Sequence, residues 1–96
     1  MVENIERLEE ITNILKSLAH PIRFQIVSLL SHDDEIPVTL ISESLCSKQP
    51  IISQQLRILR MNKMVRVVRK KGFSYYSLAM PKLKELIECM ESCVQL

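Results

Sequence analysis

The sequence predicts a mainly helical fold with one β-hairpin, and three observations support this. Apolar residues recur at helical spacing in five segments of the chain. Between residues 64 and 78 the pattern changes to one rich in β-branched and aromatic residues, which is typical of strands. The length of 96 residues, 47% of them hydrophobic, suits a single domain over residues 1–96 with one core.

The first two helices are predicted at the N-terminal end. Residues 3–18 repeat apolar residues at helical spacing, and glutamates gather in the early turns, where the helix dipole favours negative charge. The next helix begins near Pro21, which suits a first turn because its missing N–H has no helical partner there. His20 and His32 flank this helix, and we interpret them as capping or surface residues rather than metal ligands.

The third and fourth helices are predicted to follow closely. A short helix begins after Pro37 and ends at a tight turn around Cys46. The residues expected to face inward from it are Leu40, Ile41 and Leu45. In the longer helix that follows, Pro50 belongs in the first turn, since further in it would break the hydrogen-bond ladder.

The longer helix carries the basic charge of this region. Ile52, Leu56 and Leu59 fall at i, i+4 and i+7 and predict its buried face. Two helices joined by a tight turn, the second one basic, form a helix-turn-helix.

A hairpin and a fifth helix complete the predicted chain. The hairpin carries Lys70, Lys71 and Gly72 at its tip, and the last helix opens at Pro81. Its apolar face comprises Leu83, Leu86, Ile87, Met90 and Val94. Four helices, a β-hairpin wing and a final helix make a winged helix-turn-helix with one extra helix at each end.

Charge is distributed unevenly along the chain. Residues 44–80 hold eight Lys or Arg and no Asp or Glu, whereas the rest holds five basic and eleven acidic residues. Such an asymmetry predicts a polyanion as the partner of the basic segment. In a helix-turn-helix that polyanion is double-stranded DNA.

The fourth helix and the wing hold the candidate DNA contacts. With Ile52 towards the core, Gln49, Ser53 and Gln54 are placed to read base edges, because Gln pairs with adenine and Ser with any base. Lys48 and Arg57 are expected on phosphates. At the wing tip, Lys70 and Lys71 are expected to reach the DNA backbone or the minor groove, a solvated turn being the alternative.

The two terminal helices predict a homodimer, although their apolar faces also suit packing within one chain. Two copies of a groove-reading helix match two half-sites one turn apart on DNA. The residues predicted at the dimer interface are Ile5, Leu8, Leu83, Leu86, Ile87 and Met90.

Several classes of protein are excluded by what the sequence lacks. No apolar run approaches the roughly 20 residues of a membrane helix, and the acidic N-terminus is no signal peptide, so we expect a cytoplasmic protein without membrane contact. With a single Gly the chain has no phosphate-binding loop, and no catalytic set of residues is present. We therefore expect no enzyme and no cofactor.

Three segments together resemble the ArsR/SmtB family of winged-helix repressors. They are LKSLAHPIRFQIVSLL at residues 15–30, SKQPIISQQLRILRMNKMV at residues 47–65 and GFSYYSL at residues 72–78. The likeness covers about residues 8–92. It implies a homodimer built through the terminal helices and repression by occupying an operator, which in many members an inducer, often a metal ion, relieves.

The sensor sites of that family are not matched. One metal site needs a Cys-x-Cys cluster where this chain has PVTLIS at residues 37–42, and another needs His in the last helix, which has none. In the family's thiol switch, Ser28 stands where the first cysteine aligns, and Cys93 resembles the second. The sequence thus predicts no metal site and assigns no effector.

The three cysteines, Cys46, Cys89 and Cys93, remain open to more than one interpretation. We expect small, partly buried thiols, with redox or persulfide chemistry and a metal site as alternatives. Cys46 lies in a turn where the family often has Gly.

A different function is also compatible with the basic face. A winged-helix module can bind an acidic protein instead of DNA, and the outward apolar atoms of Ile51, Ile58 and Met61 favour that alternative.

Overall fold

The computed structural model describes residues 4–94, and within them it confirms the helical fold with a β-hairpin. The elements are α1 (Ile5–Leu18), α2 (Pro21–His32), β1 (Ile36–Pro37), α3 (Val38–Ser44), α4 (Gln49–Met61), β2 (Val65–Lys70), β3 (Phe73–Leu78) and α5 (Lys82–Cys93). The predicted helix ends at residues 3 and 96 lie outside the described range. None of the helices in that range has the length and apolarity needed to span a membrane.

The core forms where α2, α3, α4, the sheet and α5 meet. Ile52, Leu56 and Leu59 of α4 are completely buried, which confirms the predicted inner face of this helix. The other buried hydrophobic residues are Leu18, Ile26, Val27, Leu30, Ile36, Ile41, Met64, Val65, Leu83 and Ile87. Burying one side chain of this size contributes about 1.5–3 kcal/mol to the stability of the fold. With three such side chains in the core, α4 is anchored by contacts within its own chain.

The junction between α1 and α2 is fastened by hydrogen bonds. His20 caps α2, because its Nδ1 accepts from the backbone N–H of Ile22 at 3.2 Å and of Arg23 at 3.4 Å. The Arg23 guanidinium donates to the Ser17 carbonyl at 2.9 Å and to Oε1 of Gln55 at 3.0 Å. This confirms the capping role of His20 and ties the junction to α4.

A third strand, which the sequence does not predict, completes the sheet. The strand order is β1-β3-β2, with Ile36 paired to Tyr76 and Pro37 to Tyr75 in antiparallel register. Ile36 is buried, and Pro37 lies in an edge strand, where a missing N–H is tolerated. Two residues are too short to show a period, which explains the omission.

One expectation for α3 is wrong. Leu40, predicted to face inward, is 47% exposed. The inner face of α3 is formed by residues 38, 41, 42 and 45, which follow helical spacing and leave Leu40 on the other side. Ile41 is buried and Leu45 half-buried, as expected.

Candidate nucleic-acid interface

The face of α4 opposite the core is open to solvent. The candidate DNA-contacting residues of this region, all of them exposed, are Lys48, Gln49, Ser53, Gln54 and Arg57. Gln49, Ser53 and Arg57 are four residues apart and so form a row along the helix, with Gln54 beside them. The structure thus brings the predicted base-reading residues together on one surface, and their contact with DNA stays a prediction.

The turn between α3 and α4 has a defined geometry. Cys46 adopts φ of +51° in the left-handed region. The Cys46 N–H donates to the Glu43 carbonyl at 3.2 Å and the Ser47 N–H to the Ser42 carbonyl at 3.1 Å. This paired bonding is the usual C-terminal cap in which glycine is preferred. Cys46 therefore occupies a glycine-like position, and the cap sets the direction in which α4 leaves α3.

The wing is a tight hairpin with two different faces. The β2–β3 register pairs Lys70 with Phe73, so Lys71 and Gly72 alone form the turn. Directly paired residues share a face. The outer face, away from the core, carries Arg66, Val68, Lys70, Phe73, Tyr75 and Ser77.

Lys70 has partners that the sequence does not predict. Its Nζ lies 2.6 Å from Oε1 of Glu35 and 5.5 Å from the centroid of the Tyr75 ring. No carboxylate within residues 4–94 lies within 4.0 Å of the Lys71 ammonium. Glu35 precedes β1, so only the unpredicted pairing of β1 with β3 brings it to the wing. Of the two candidate lysines, Lys71 alone is unpaired in this part of the chain.

Two arginines extend the basic surface along the wing. Arg66 Nε donates to the Ser77 hydroxyl at 3.4 Å, and Arg69 Nη1 donates to the Ser74 hydroxyl at 3.5 Å. Both arginines are exposed. These neutral partners leave the positive charge uncompensated, which favours binding of phosphates.

The terminal helices leave apolar side chains in solvent. In α1 the exposed row is Ile5, Leu8, Ile11 and Leu15, which are 50–55% exposed. Together with Met80, Leu83 and Leu86, the last turns of α1 line a groove of about 300 Å³. Leu86 is 36% exposed and Met90 half-buried, and their place in a dimer interface stays a prediction.

Two residues must be removed from the expected interface. Leu83 is 3% exposed and Ile87 is 0% exposed, because both pack into the core of their own chain. They therefore present almost no surface to a partner.

The cysteines are more exposed than expected. Cys46, Cys89 and Cys93 are all free and exposed in the described chain, since Cys89 and Cys93 lie on the side of α5 away from Ile87. The expectation of partly buried thiols is wrong for the single chain. No cluster of three potential metal ligands occurs within residues 4–94.

Ser28, which aligns with the first cysteine of the family's thiol switch, forms a hydrogen bond between two helices. The Ser28 hydroxyl of α2 donates to Oε2 of Glu91 in α5 at 2.8 Å. Oε1 of Glu91 lies 3.5 Å from Nε2 of His32, whose side chain is exposed, as expected of a surface residue. In this chain, polar contacts connect α2 with α5, the two helices that the disulfide of the thiol switch would connect.

A helix-turn-helix with a polar and basic second helix, followed by a basic hairpin, defines the winged helix-turn-helix class of DNA-binding proteins. No protein-family model matches the chain. The chain is 32% identical over 85 residues to the biofilm growth-associated repressor of Xylella fastidiosa, which covers 88% of this chain and 74% of that protein. The crystal structure of the transcriptional repressor BigR from Xylella fastidiosa matches with a TM-score of 0.88 and 30% identity, over 100% of this chain and 98% of that one.

A second solved structure has the same fold. The homodimeric winged helix-turn-helix DNA-binding domain of Mb0332 from Mycobacterium bovis, a possible ArsR-family transcriptional regulator, matches with a TM-score of 0.82. At 24% identity, it covers 92% of this chain and 81% of that one. The chain belongs to the ArsR family of winged helix-turn-helix transcriptional regulators, which confirms the resemblance. It is a DNA-binding regulator of transcription.

Proposed function

We propose that the protein is a homodimeric, sequence-specific repressor that occupies a palindromic operator in double-stranded DNA. The observation that carries this proposal is the solvent face of α4, where polar and basic side chains form one surface in a segment without a single carboxylate between residues 44 and 80. A relative at 32% identity is itself a repressor.

Each exposed residue of α4 has a role suited to its chemistry. Gln49 and Gln54 have the amide group that pairs with adenine in the major groove, and the Ser53 hydroxyl donates to or accepts from a base edge. Arg57 and Lys48 lie at the border of this surface, where charged groups bind phosphates and set the register. Sequence preference therefore comes from the amides and affinity from the charges.

The exposed apolar row of α1 supports the proposed dimer. Four large apolar side chains at 50–55% exposure, beside the groove against Leu86, form a contiguous patch of the kind that marks an interface in soluble proteins. A second copy carries the same patch and pairs with it about a two-fold axis. The two α4 helices then read half-sites about 34 Å apart.

The test begins with selection of bound duplexes from a random pool, followed by affinity measurements over a range of salt. With about six phosphates neutralised per dimer, log K falls against log salt with a slope of about −5. A slope near zero on every duplex contradicts the proposal.

Variants separate affinity from specificity. Arg57→Ala is expected to weaken binding to all duplexes alike, whereas Gln54→Ala relaxes the preference at one position per half-site, by about 1–3 kcal/mol. The control is Lys84→Ala, which removes an exposed basic side chain from α5 and is expected to change neither the affinity nor the sequence preference. If Arg57→Ala and Gln54→Ala both bind like the wild type, α4 is not the helix in the groove.

A separate variant tests the dimer. Leu8→Glu puts a charge into the apolar row of α1, and Asn13→Glu adds the same charge at an exposed polar position outside that row. We expect Leu8→Glu to be monomeric by sedimentation and to bind the operator at least about 100-fold more weakly, since linked half-site binding is lost. Asn13→Glu stays dimeric. A Leu8→Glu variant that remains a dimer excludes this interface.

The alternative of a protein-binding module has limited support. Ile51 and Met61 are 42% and 72% exposed, but Ile58 is half-buried, so the apolar surface of α4 is smaller than expected. A partner that stays bound after nuclease treatment would favour this alternative. Membership of a family of transcriptional regulators favours DNA.

A further inference from the structure

The tip of the wing is a tight two-residue turn. Lys71 and Gly72 both have positive φ, +50° and +83°, and they alone connect the paired residues Lys70 and Phe73. Positive φ at both central residues is the two-residue turn whose twist matches that of the flanking strands. The tip therefore projects as a thin, preformed edge.

A large aromatic side chain stands exposed on this edge. Phe73, which directly follows the turn, is 58% exposed and takes no part in the core. A solvated hairpin tip gains nothing from an exposed phenyl ring, because the hydrophobic effect disfavours its contact with water. Phe73 therefore fits a partner that offers an apolar surface at this point.

The charges around Phe73 select the kind of partner. Arg69 and Lys71 lie within four residues of it, and the acids nearest to it in sequence are Glu43 and Glu85. Lys70, directly opposite Phe73, is held by Glu35 at 2.6 Å. An apolar ring next to Lys71, which has no carboxylate partner within residues 4–94, matches a duplex minor groove, which has deoxyribose walls between two rows of phosphates.

Size supports the same partner. The minor groove of B-DNA is about 6 Å wide, which admits a strand tip but not a helix. Apolar side chains that enter it contact sugars and base steps directly. With α4 in the major groove, the wing lies over the neighbouring minor groove, so this step rests on the proposed function.

We propose that Phe73 is a minor-groove contact that sets a preference for A·T pairs flanking each half-site. The exocyclic amino group of guanine projects from the floor of the minor groove, whereas A·T pairs leave it open. A phenyl ring that enters the groove is excluded by that amino group. Lys71 supplies the adjoining phosphate contact.

The experiment uses three versions of the selected operator, which differ only in the flanking pairs: A·T, G·C and inosine·C. Inosine lacks the amino group of guanine, so inosine·C resembles A·T in the minor groove and G·C in the major groove. The wild type is expected to bind the A·T and inosine·C flanks equally and the G·C flank about tenfold more weakly. Equal binding to all three, or inosine·C behaving like G·C, overturns the proposal.

Variants then assign the preference to Phe73. Phe73→Ser is expected to reduce the difference between A·T and G·C flanks to less than about twofold, without changing the salt slope, since no charge is lost. Val68→Ser removes a 41% exposed apolar side chain from the same face of the wing, further from the tip, and keeps the tenfold difference. Thermal unfolding checks that the variants are folded.

The outcomes separate this inference from the proposed function. A tenfold flank preference that survives in Phe73→Ser overturns the role of Phe73 but leaves the repressor proposal standing. Absence of salt-dependent, specific binding to any operator overturns the repressor proposal itself. If Phe73→Ser does not fold, Phe73→Leu replaces it. We expect this smaller apolar side chain to retain part of the preference, and an unchanged tenfold preference in it also counts against Phe73.

Discussion

Two helices of similar length, α1 and α4, use their apolar residues in opposite ways. α4 buries Ile52, Leu56 and Leu59 completely and exposes polar and basic residues. α1 leaves its apolar row, represented by Leu8 and Leu15, at least 50% exposed and buries only Ser17 and Leu18. A single chain therefore fixes the helix that carries the candidate DNA contacts but leaves the apolar row of α1 uncovered.

The difference shows which part of the protein depends on a partner. The position of α4 is fixed by core contacts and by the Arg23–Gln55 hydrogen bond within the chain. The apolar row of α1 gains its hydrophobic stabilisation only when another surface covers it. The same kind of substitution should therefore lower the free energy of unfolding when made in the buried face of α4, and weaken dimer formation when made in the apolar row of α1.

The largest difference is expected for leucine truncation. Leu56→Ala creates a cavity in the core and should lower the free energy of unfolding by about 2–5 kcal/mol. Leu15→Ala, at a site 51% exposed in the single chain, should change the stability of the monomer by less than about 1 kcal/mol and instead raise the dimer dissociation constant. Denaturation at several protein concentrations, together with sedimentation equilibrium, measures both quantities.

The comparison fails if the two leucine variants behave alike. Equal losses of unfolding free energy with an unchanged dimer dissociation constant would mean that Leu15 belongs to the same core as Leu56.

The sequence predicted well those features that depend on local spacing. The inner face of α4 and the first-turn position of Pro50 follow from periodicity and backbone chemistry, and both are confirmed. The exposure of Gln49 and Ser53 follows from the same helical wheel. Each of these depends only on residues within a few turns of one helix.

Features that depend on contacts between distant segments were missed. β1 and the Glu35–Lys70 ion pair require the pairing of residue 36 with residue 76, which no local pattern encodes. Leu83 and Ile87 show the same limit, because an apolar stripe does not tell whether it faces its own chain or a second copy. The structure assigns these two to the core.

The second pair of variants compares an acid that contacts the wing, Glu35, with an acid on the terminal helix α5, Glu85. Within residues 4–94, Glu35 is the one carboxylate that forms an ion pair with the wing. Glu35→Gln removes this carboxylate and releases Lys70, so DNA affinity should rise about threefold at low salt, in line with the modest energy of an exposed ion pair. Glu85→Gln disrupts the exposed Lys82–Glu85 pair on α5, at 3.7 Å, and should leave DNA affinity unchanged. Titration of labelled operator at low and high salt measures the effect. A fall in affinity for Glu35→Gln would show that the ion pair instead holds the wing in its binding position.

The smallest expected effect compares two exposed cysteines. At φ of +51°, the Cβ of Cys46 carries a steric cost of about 1–2 kcal/mol that glycine avoids. Glycine loses about 0.5–1 kcal/mol more backbone entropy on folding, so Cys46→Gly should stabilise the protein by about 0.5 kcal/mol. Cys89→Gly, within α5, removes the same thiol but should lower stability by about 0.3 kcal/mol, because glycine is the poorer helix former. Chemical denaturation of both variants measures the change in the free energy of unfolding, which should be positive for Cys46→Gly and negative for Cys89→Gly. If both variants lose stability, the turn before α4 is not strained, and the thiol of Cys46 contributes to folding in a way that its exposed position does not explain.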